Sequence, residues 1–171
     1  MNAFEAGERK LIPAVLIYAR CRDRILMIEK GASGDGTHTG KWNGLGGKCE
    51  ANEAPVAAAS REFFEEAGLD LPTGRFSSLG WILFPQFKAR KNEDWLCFVF
   101  TLELSLEESK QVAVSSEEGE LRWINVADIL GLNLWPGDVH FLSHVFAGTP
   151  FTGTIWYENS CVVKHEVTFG Y

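Results

Sequence analysis

A chain of 171 residues, 46% hydrophobic and 23% charged, has room for one globular domain with a sizeable core but not for two ordinary ones. Its net charge of −7 has the wrong sign for non-specific binding to a nucleic-acid backbone, so such a chain handling phosphates needs local basic groups or a metal cation. The cysteines Cys21, Cys49, Cys97 and Cys161 are scattered without a CxxC pair, which argues for reduced thiols rather than a zinc site.

In chain order, the first ten residues lack the charged-then-apolar order of a signal peptide. The apolar run that begins at Leu11 is too short to span a bilayer and contains Pro13, so the cytoplasm is the expected location. Residues 11–20 and 25–30 are apolar and rich in β-branched side chains, which predicts two strands around a polar turn. Residues 31–40 carry four glycines and predict a loop that matches neither phosphate-binding glycine motif. The close glycines of residues 41–48 predict backbone packed tightly against something. Residues 54–67 predict a helix, with Pro55 in its first turn, Gly68 as left-handed cap and Pro72 blocking continuation. Two long strands follow at 77–88 and 95–104, then a solvated loop at 107–118 and a short strand at 121–126. Pro136 opens a second helix over 136–146 that ends near Gly148, and residues 154–157 and 161–168 form a final hairpin. Strands mixed with two helices predict an α/β fold of the α+β type, a mixed sheet with a helix on each face.

The first helix carries the chemistry. At about 100° per residue, Val56, Ala59, Phe63 and Ala67 fall on one face, which is the core face. Glu62, Glu65 and Glu66 fall on another, at i, i+3 and i+4. Like charges at that spacing cost about 0.2–0.5 kcal/mol per pair, and the nearby helix C-terminus disfavours anions further. The pattern is either a solvated acidic face or a set of oxygen ligands for a hard cation such as Mg²⁺.

Gly47, Glu53, Arg61, Glu62, Phe63, Glu65, Glu66, Gly68 and Leu69 match every defined position of the Nudix box, Gx5Ex7REUxEExGU, in which U is a bulky apolar residue. The chain therefore resembles the Nudix hydrolases. That resemblance implies an α/β/α sandwich, a divalent metal (Mg²⁺, with Mn²⁺ as a substitute) and hydrolysis of a phosphoanhydride in a nucleoside diphosphate linked to another group. It also implies roles. Glu62, Glu65, Glu66 and the Gly46 carbonyl match metal ligands, and Glu66 matches the residue most often assigned as essential ligand or base. Arg61 matches an arginine that orients the glutamates, and Glu53 a glutamate that supports the loop and helix. Glu118 sits where relatives place a further acidic ligand or base, with Glu117 and Glu120 as neighbouring alternatives.

A second resemblance bears on substrate. Residues 42–48 are similar to the WNGxGGK of the MutT-homologous animal enzymes that hydrolyse oxidised purine nucleoside triphosphates, and Trp135-Pro136-Gly137-Asp138 is similar to their WPDD. Lys30 and Phe84 align with pocket residues of those enzymes. The resemblance implies that Asn43 and Asp138 read a purine edge while Trp135 and Phe84 supply apolar and stacking faces. Gly137 departs from it, since those enzymes carry a first aspartate there. A nucleoside triphosphate pyrophosphohydrolase acting on purines, oxidised ones such as 8-oxo-dGTP included, is the leading expectation. An RNA 5′-pyrophosphohydrolase, a hydrolase of another nucleoside diphosphate and a non-catalytic nucleotide sensor are the rivals. His140 and His144, at i, i+4 on the second helix, read as packing rather than as metal ligands.

Overall fold

A computed structural model describes residues 8–31 and 39–170. Most of the glycine-rich loop expected at 31–40, and the first seven residues of the N-terminal segment, lie outside the described residues. The strands are β1 (Lys10–Cys21), β2 (Arg24–Lys30), β3 (Trp42–Asn43), β4 (Ser77–Lys88), β5 (Glu93–Glu103), β6 (Ser115–Ser116), β7 (Gly119–Asn125), β8 (Phe151–Glu158) and β9 (Cys161–Phe169). The α-helices are α1 (Pro55–Ala67), α2 (Leu106–Gln111), α3 (Val126–Ile129) and α4 (Leu142–Ala147). The strands form one mixed sheet in the order β6-β7-β2-β1-β5-β4-β8-β9, with β3 added onto β2. The β1–β5 and β4–β8 pairs are parallel and the others antiparallel.

The sheet lies between helices, and the alternation along β1 shows why. Val15, Ile17 and Ala19 pack with Ala58, Ala59, Phe63 and Ala67 of α1. Ala14, Leu16 and Tyr18 turn the other way and pack with Ile129 of α3 and with Leu142 and Val145 of α4. Successive strand side chains point to opposite faces, so a strand apolar at every position needs a cover on both sides.

One irregularity in the sheet positions everything that follows. β1 and β2 pair only next to their turn, Arg20 with Ile25 and Cys21 with Arg24, and then diverge. The segment after β3 fills the gap. Val15 N–H donates to the Gly47 carbonyl at 2.8 Å, Ile17 N–H to the Leu45 carbonyl at 2.8 Å, and Leu45 N–H back to Ile17 at 3.0 Å. The glycine segment is thereby bonded to the central strand, directly beside α1.

Three stretches differ from the sequence expectation. The supposed loop at 107–118 begins with α2, because Ser105 and Glu108 form a capping box: Glu108 N–H donates to Ser105 Oγ at 3.2 Å and Ser105 N–H to Glu108 Oε2 at 2.8 Å. It ends in β6, an edge partner of β7. The helix expected over 136–146 is broken into a 3₁₀ turn, Asp138–His140, and α4, with the buried Phe141 at φ −131° between them. Its first turn is pulled inward: Asp138 is buried, and Gly137 N–H is held by the Tyr157 hydroxyl at 2.7 Å. The expected end of the preceding strand at Val126 is instead the start of α3.

Phe63 joins α1 to the sheet, fully buried and edge-on to Phe76 at 5.9 Å. Phe63→Ala is expected to lower unfolding stability by about 3–5 kcal/mol in urea titration. A loss below about 1 kcal/mol would contradict that role.

Candidate active site

The carboxylates of α1 do not share one environment. Glu66 is buried, at 4% exposure, and its Oε2 accepts the Gly46 N–H at 2.7 Å while its Oε1 meets Lys30 Nζ at 3.2 Å. Glu62 lies against the next glycine, where a Cβ on Gly47 would come within 2.5 Å of its Oε1. Glu65 stands further out, its side chain 54% exposed, and meets Arg61 Nη1 at 3.3 Å. The glycines permit this approach. Gly46 has φ +136°, and a Cβ there would collide with the Val15 carbonyl at 2.1 Å.

Arg61 holds the group together. Its Nε and Nη2 grip Glu53 at 2.8 and 2.9 Å, its Nη1 bonds Glu62 at 2.9 Å, and Nη2 also reaches the Lys48 carbonyl at 3.1 Å. The Arg61 bonds, helped by the Glu50 N–H, pull the Glu53 pKa down to about 2. Gly68 ends the helix at φ +73°, its N–H donating to the Phe64 carbonyl. Across the cleft Lys30 joins Glu66 to Glu118, at 2.5 Å from Glu118 Oε2. Of the neighbouring alternatives, Glu117 lines the same cleft, whereas Glu120 pairs with Arg122 at 2.6 Å.

Burial raises the pKa of Glu66 to about 7, even though Lys30 and the Gly46 N–H oppose it, and burial raises Glu62 as well. Among the described residues no three His, Cys, Asp or Glu side chains gather closely enough to hold an ion, and Arg61 and Lys30 stand between the carboxylates. The donor set nonetheless fits a small hard cation. The ligand atoms are all oxygens, two of the carboxylates are partly desolvated, and each neighbours a like charge.

The same cleft continues into a cavity of about 860 Å³. Its far end is aromatic: Phe87 lies 5.5 Å from Trp135 and 5.9 Å from Tyr157, and Tyr157 lies 6.1 Å from both Trp135 and Phe84. Asn43 and Asp138 are the polar groups of the sequence expectation there. Asn43 Oδ1 accepts the Gly44 N–H at 3.0 Å, which leaves the amide's donor end for another partner. Asp138 Oδ2 is buried with no hydrogen-bond partner among the described residues, and burial raises the Asp138 pKa to about 7 against the Lys41 charge and the Trp135 backbone N–H. The buried Tyr18 hydroxyl also lacks a partner among the described residues. Lys48, Lys88 and Lys91 line the cavity, and the first two lie over the Trp95 ring at 5.3 and 5.4 Å.

The structure thus brings together Glu62, Glu66, Glu118, Gly46, Gly47, Asn43, Phe84, Trp135 and Asp138, and leaves Glu65 at the rim. Lys30, expected as a pocket residue, lines the cavity and bridges Glu66 and Glu118. Tyr157, Phe87, Trp95 and the three lysines were not legible as site residues, since strand aromatics and surface lysines carry no spacing signal. His140 and His144 stack on His165 and Phe169, each at 3.7 Å, which is packing of the broken helix onto β9.

Residues 10–145 match the NUDIX domain family. The chain belongs to the Nudix hydrolases. It is 29% identical over 126 residues to the uncharacterized Nudix hydrolase YvcI of Bacillus subtilis, covering 74% of this chain and 73% of that one. It is 27% identical over 159 residues to the oxidized purine nucleoside triphosphate hydrolase of Danio rerio, covering 92% and 94%. The crystal structure of a MutT protein from Bacillus halodurans superposes with a TM-score of 0.73 at 22% identity, covering 91% of this chain and 97% of that one. As a Nudix hydrolase the protein cleaves a nucleotide phosphoanhydride bond. No helix among its described residues is long and apolar enough to cross a membrane.

The buried Asp138 of this Nudix hydrolase yields a pH signature. Its folded pKa, about 7, lies above the unfolded value of 3.8, so the folded state keeps a proton that the unfolded state has lost. Its contribution to stability is full below about pH 4 and is lost as pH rises through about 7. Asp138→Asn carries no such titration. The melting temperature of the variant minus that of wild type is expected to climb between about pH 4.5 and 7.5. A difference that stays constant across that range would overturn the assignment.

Proposed function

We propose that the protein is a Mg²⁺-dependent nucleoside triphosphate pyrophosphohydrolase of the cytoplasm, one Nudix domain that converts purine nucleotides, oxidised ones such as 8-oxo-dGTP included, to a monophosphate and pyrophosphate. The observation that carries this reading is the continuity of one cavity from the Glu62 and Glu118 carboxylates, beside the Lys30 and Gly46 groups that hold Glu66, to the Asn43, Asp138 and Trp135 end. The Danio rerio relative, named for oxidized purine nucleoside triphosphates, supports it.

The Gly46 carbonyl with Glu62, Glu65 and Glu66 would hold Mg²⁺, or Mn²⁺ in its place, which when bound offsets phosphate charge and acidifies water. Arg61, gripped by Glu53, sets the angle of Glu62 and Glu65. Lys48, Lys88 and Lys91 offset the polyphosphate charge in a chain of net charge −7. Glu66, the most buried carboxylate of the helix, takes the proton of the attacking water. The new P–O bond forms as the bridging P–O bond breaks, and pyrophosphate leaves. Lys30 holds Glu66 and Glu118 on opposite sides of one ammonium. Trp135 and Phe84 cover the base, and Asn43 and Asp138 bond its edge.

Steady-state kinetics on dGTP, 8-oxo-dGTP, dATP and dCTP test this. Chelator should abolish turnover, and Glu66→Gln should lower kcat by at least about 10². Asp138→Ala should cost about tenfold or more in kcat/KM on purines and much less on dCTP, since truncation leaves a base atom unpaired. Trp135→Ala should weaken all four nucleotides. Near-normal turnover in Glu66→Gln sinks the catalytic assignment, and equal losses across the four in Asp138→Ala show that it does not read the base.

A further inference from the structure

Tyr157 stands on β8 with its ring in the aromatic wall and its hydroxyl oxygen accepting the Gly137 N–H at 2.7 Å. That bond fixes the oxygen and occupies one lone pair, so the phenol's own proton is left to donate to another group. Position 137 accommodates the hydroxyl only as glycine, since a Cβ there would lie 2.4 Å from the Tyr157 oxygen. Burial and the charge of Asp138 raise the phenol's pKa, which keeps that proton in place at neutral pH.

The count of donors and acceptors at this end is then uneven. The Trp135 backbone N–H occupies part of the Asp138 carboxyl, and Oδ2 is its unpartnered oxygen. Asn43 presents its amide donor because Gly44 N–H holds its oxygen. Above about pH 7, where the Asp138 carboxyl is ionised, two donors, the Asn43 amide and the Tyr157 hydroxyl, therefore accompany one acceptor. A 6-oxopurine matches that set, with two lone pairs on its exocyclic oxygen and one N–H beside it. A 6-aminopurine has a single ring lone pair there and leaves one donor unpaired.

We propose that Tyr157 is a specificity-determining residue that donates its hydroxyl proton to the exocyclic oxygen of a 6-oxopurine, while Asp138 accepts from the ring N–H next to it. The inference rests on the base-binding reading of the cavity and not on its hydrolytic one. Calorimetric titration of inosine, adenosine and purine-riboside 5′-monophosphates against wild type, Tyr157→Phe and Gly137→Ala separates the two. Wild type is expected to bind inosine monophosphate most tightly. Tyr157→Phe, which keeps the ring, should cut its preference over adenosine monophosphate by about tenfold. Gly137→Ala, which displaces the hydroxyl but keeps the phenol, should do the same. A wild type without the inosine preference, or a preference that survives in both variants, overturns the assignment. A wild type that shows this binding order but hydrolyses no nucleotide supports Tyr157 and overturns the proposed reaction.

Discussion

The carboxylates of Glu62, Glu65 and Glu66 repel one another from adjacent turns of one helix, and the most buried of them, Glu66, is also the one whose charge costs most. A desolvated carboxylate near like charges keeps its proton or finds compensation. Here compensation comes from three directions: the Gly46 N–H on one oxygen, Lys30 on the other, and Arg61 beside the two outer glutamates. Arg61 can serve there only because Glu53 and the Lys48 carbonyl hold its guanidinium in one plane. The acidic face is thus a partly neutralised site, in which a hard cation would replace ammonium and guanidinium contacts with ligand bonds.

That compensation depends on the opening between β1 and β2. Had the two strands paired along their whole length, the glycine segment would have no place in the sheet, and Glu66 would face side chains in place of a backbone N–H. Bonding of Leu45 and Gly47 to β1 brings the glycines under α1, and the same segment carries Asn43 into the cavity from its other end. One short stretch of chain therefore links the carboxylates to the polar groups proposed to read the base. The broken helix after Trp135 serves the opposite wall, since its inward turn buries Asp138 and seats Gly137 on Tyr157.

Much of this was legible in the sequence where the signal is local or periodic. The bounds of α1 follow from Pro55 and Gly68, its buried and charged faces follow from the helical period, and the strand alternation places the core on both sides of the sheet. The Nudix box named the carboxylates and Arg61 together. The failures have physical causes. The S-x-x-E cap of α2 was present at Ser105 and Glu108 but hidden in a polar run. The break in the second helix comes from tertiary contacts, a tyrosine hydroxyl and a buried aspartate, that no helical period reveals. Resemblance marked Lys30 as a pocket residue, but no spacing signal reveals that its ammonium bridges Glu66 and Glu118. Tyr157 was unreadable because its role depends on a residue twenty positions away in another element.

We propose that the α1 carboxylates and the glycine segment form a divalent-cation site. The most direct test is Mn²⁺ titration followed by loss of the free-ion electron paramagnetic resonance signal, with Mg²⁺ as competitor, on wild type, Glu62→Gln and Glu66→Gln. The account predicts Mn²⁺ binding that Mg²⁺ displaces and that each substitution weakens by about tenfold or more. Mn²⁺ binding of equal strength in all three proteins would contradict it.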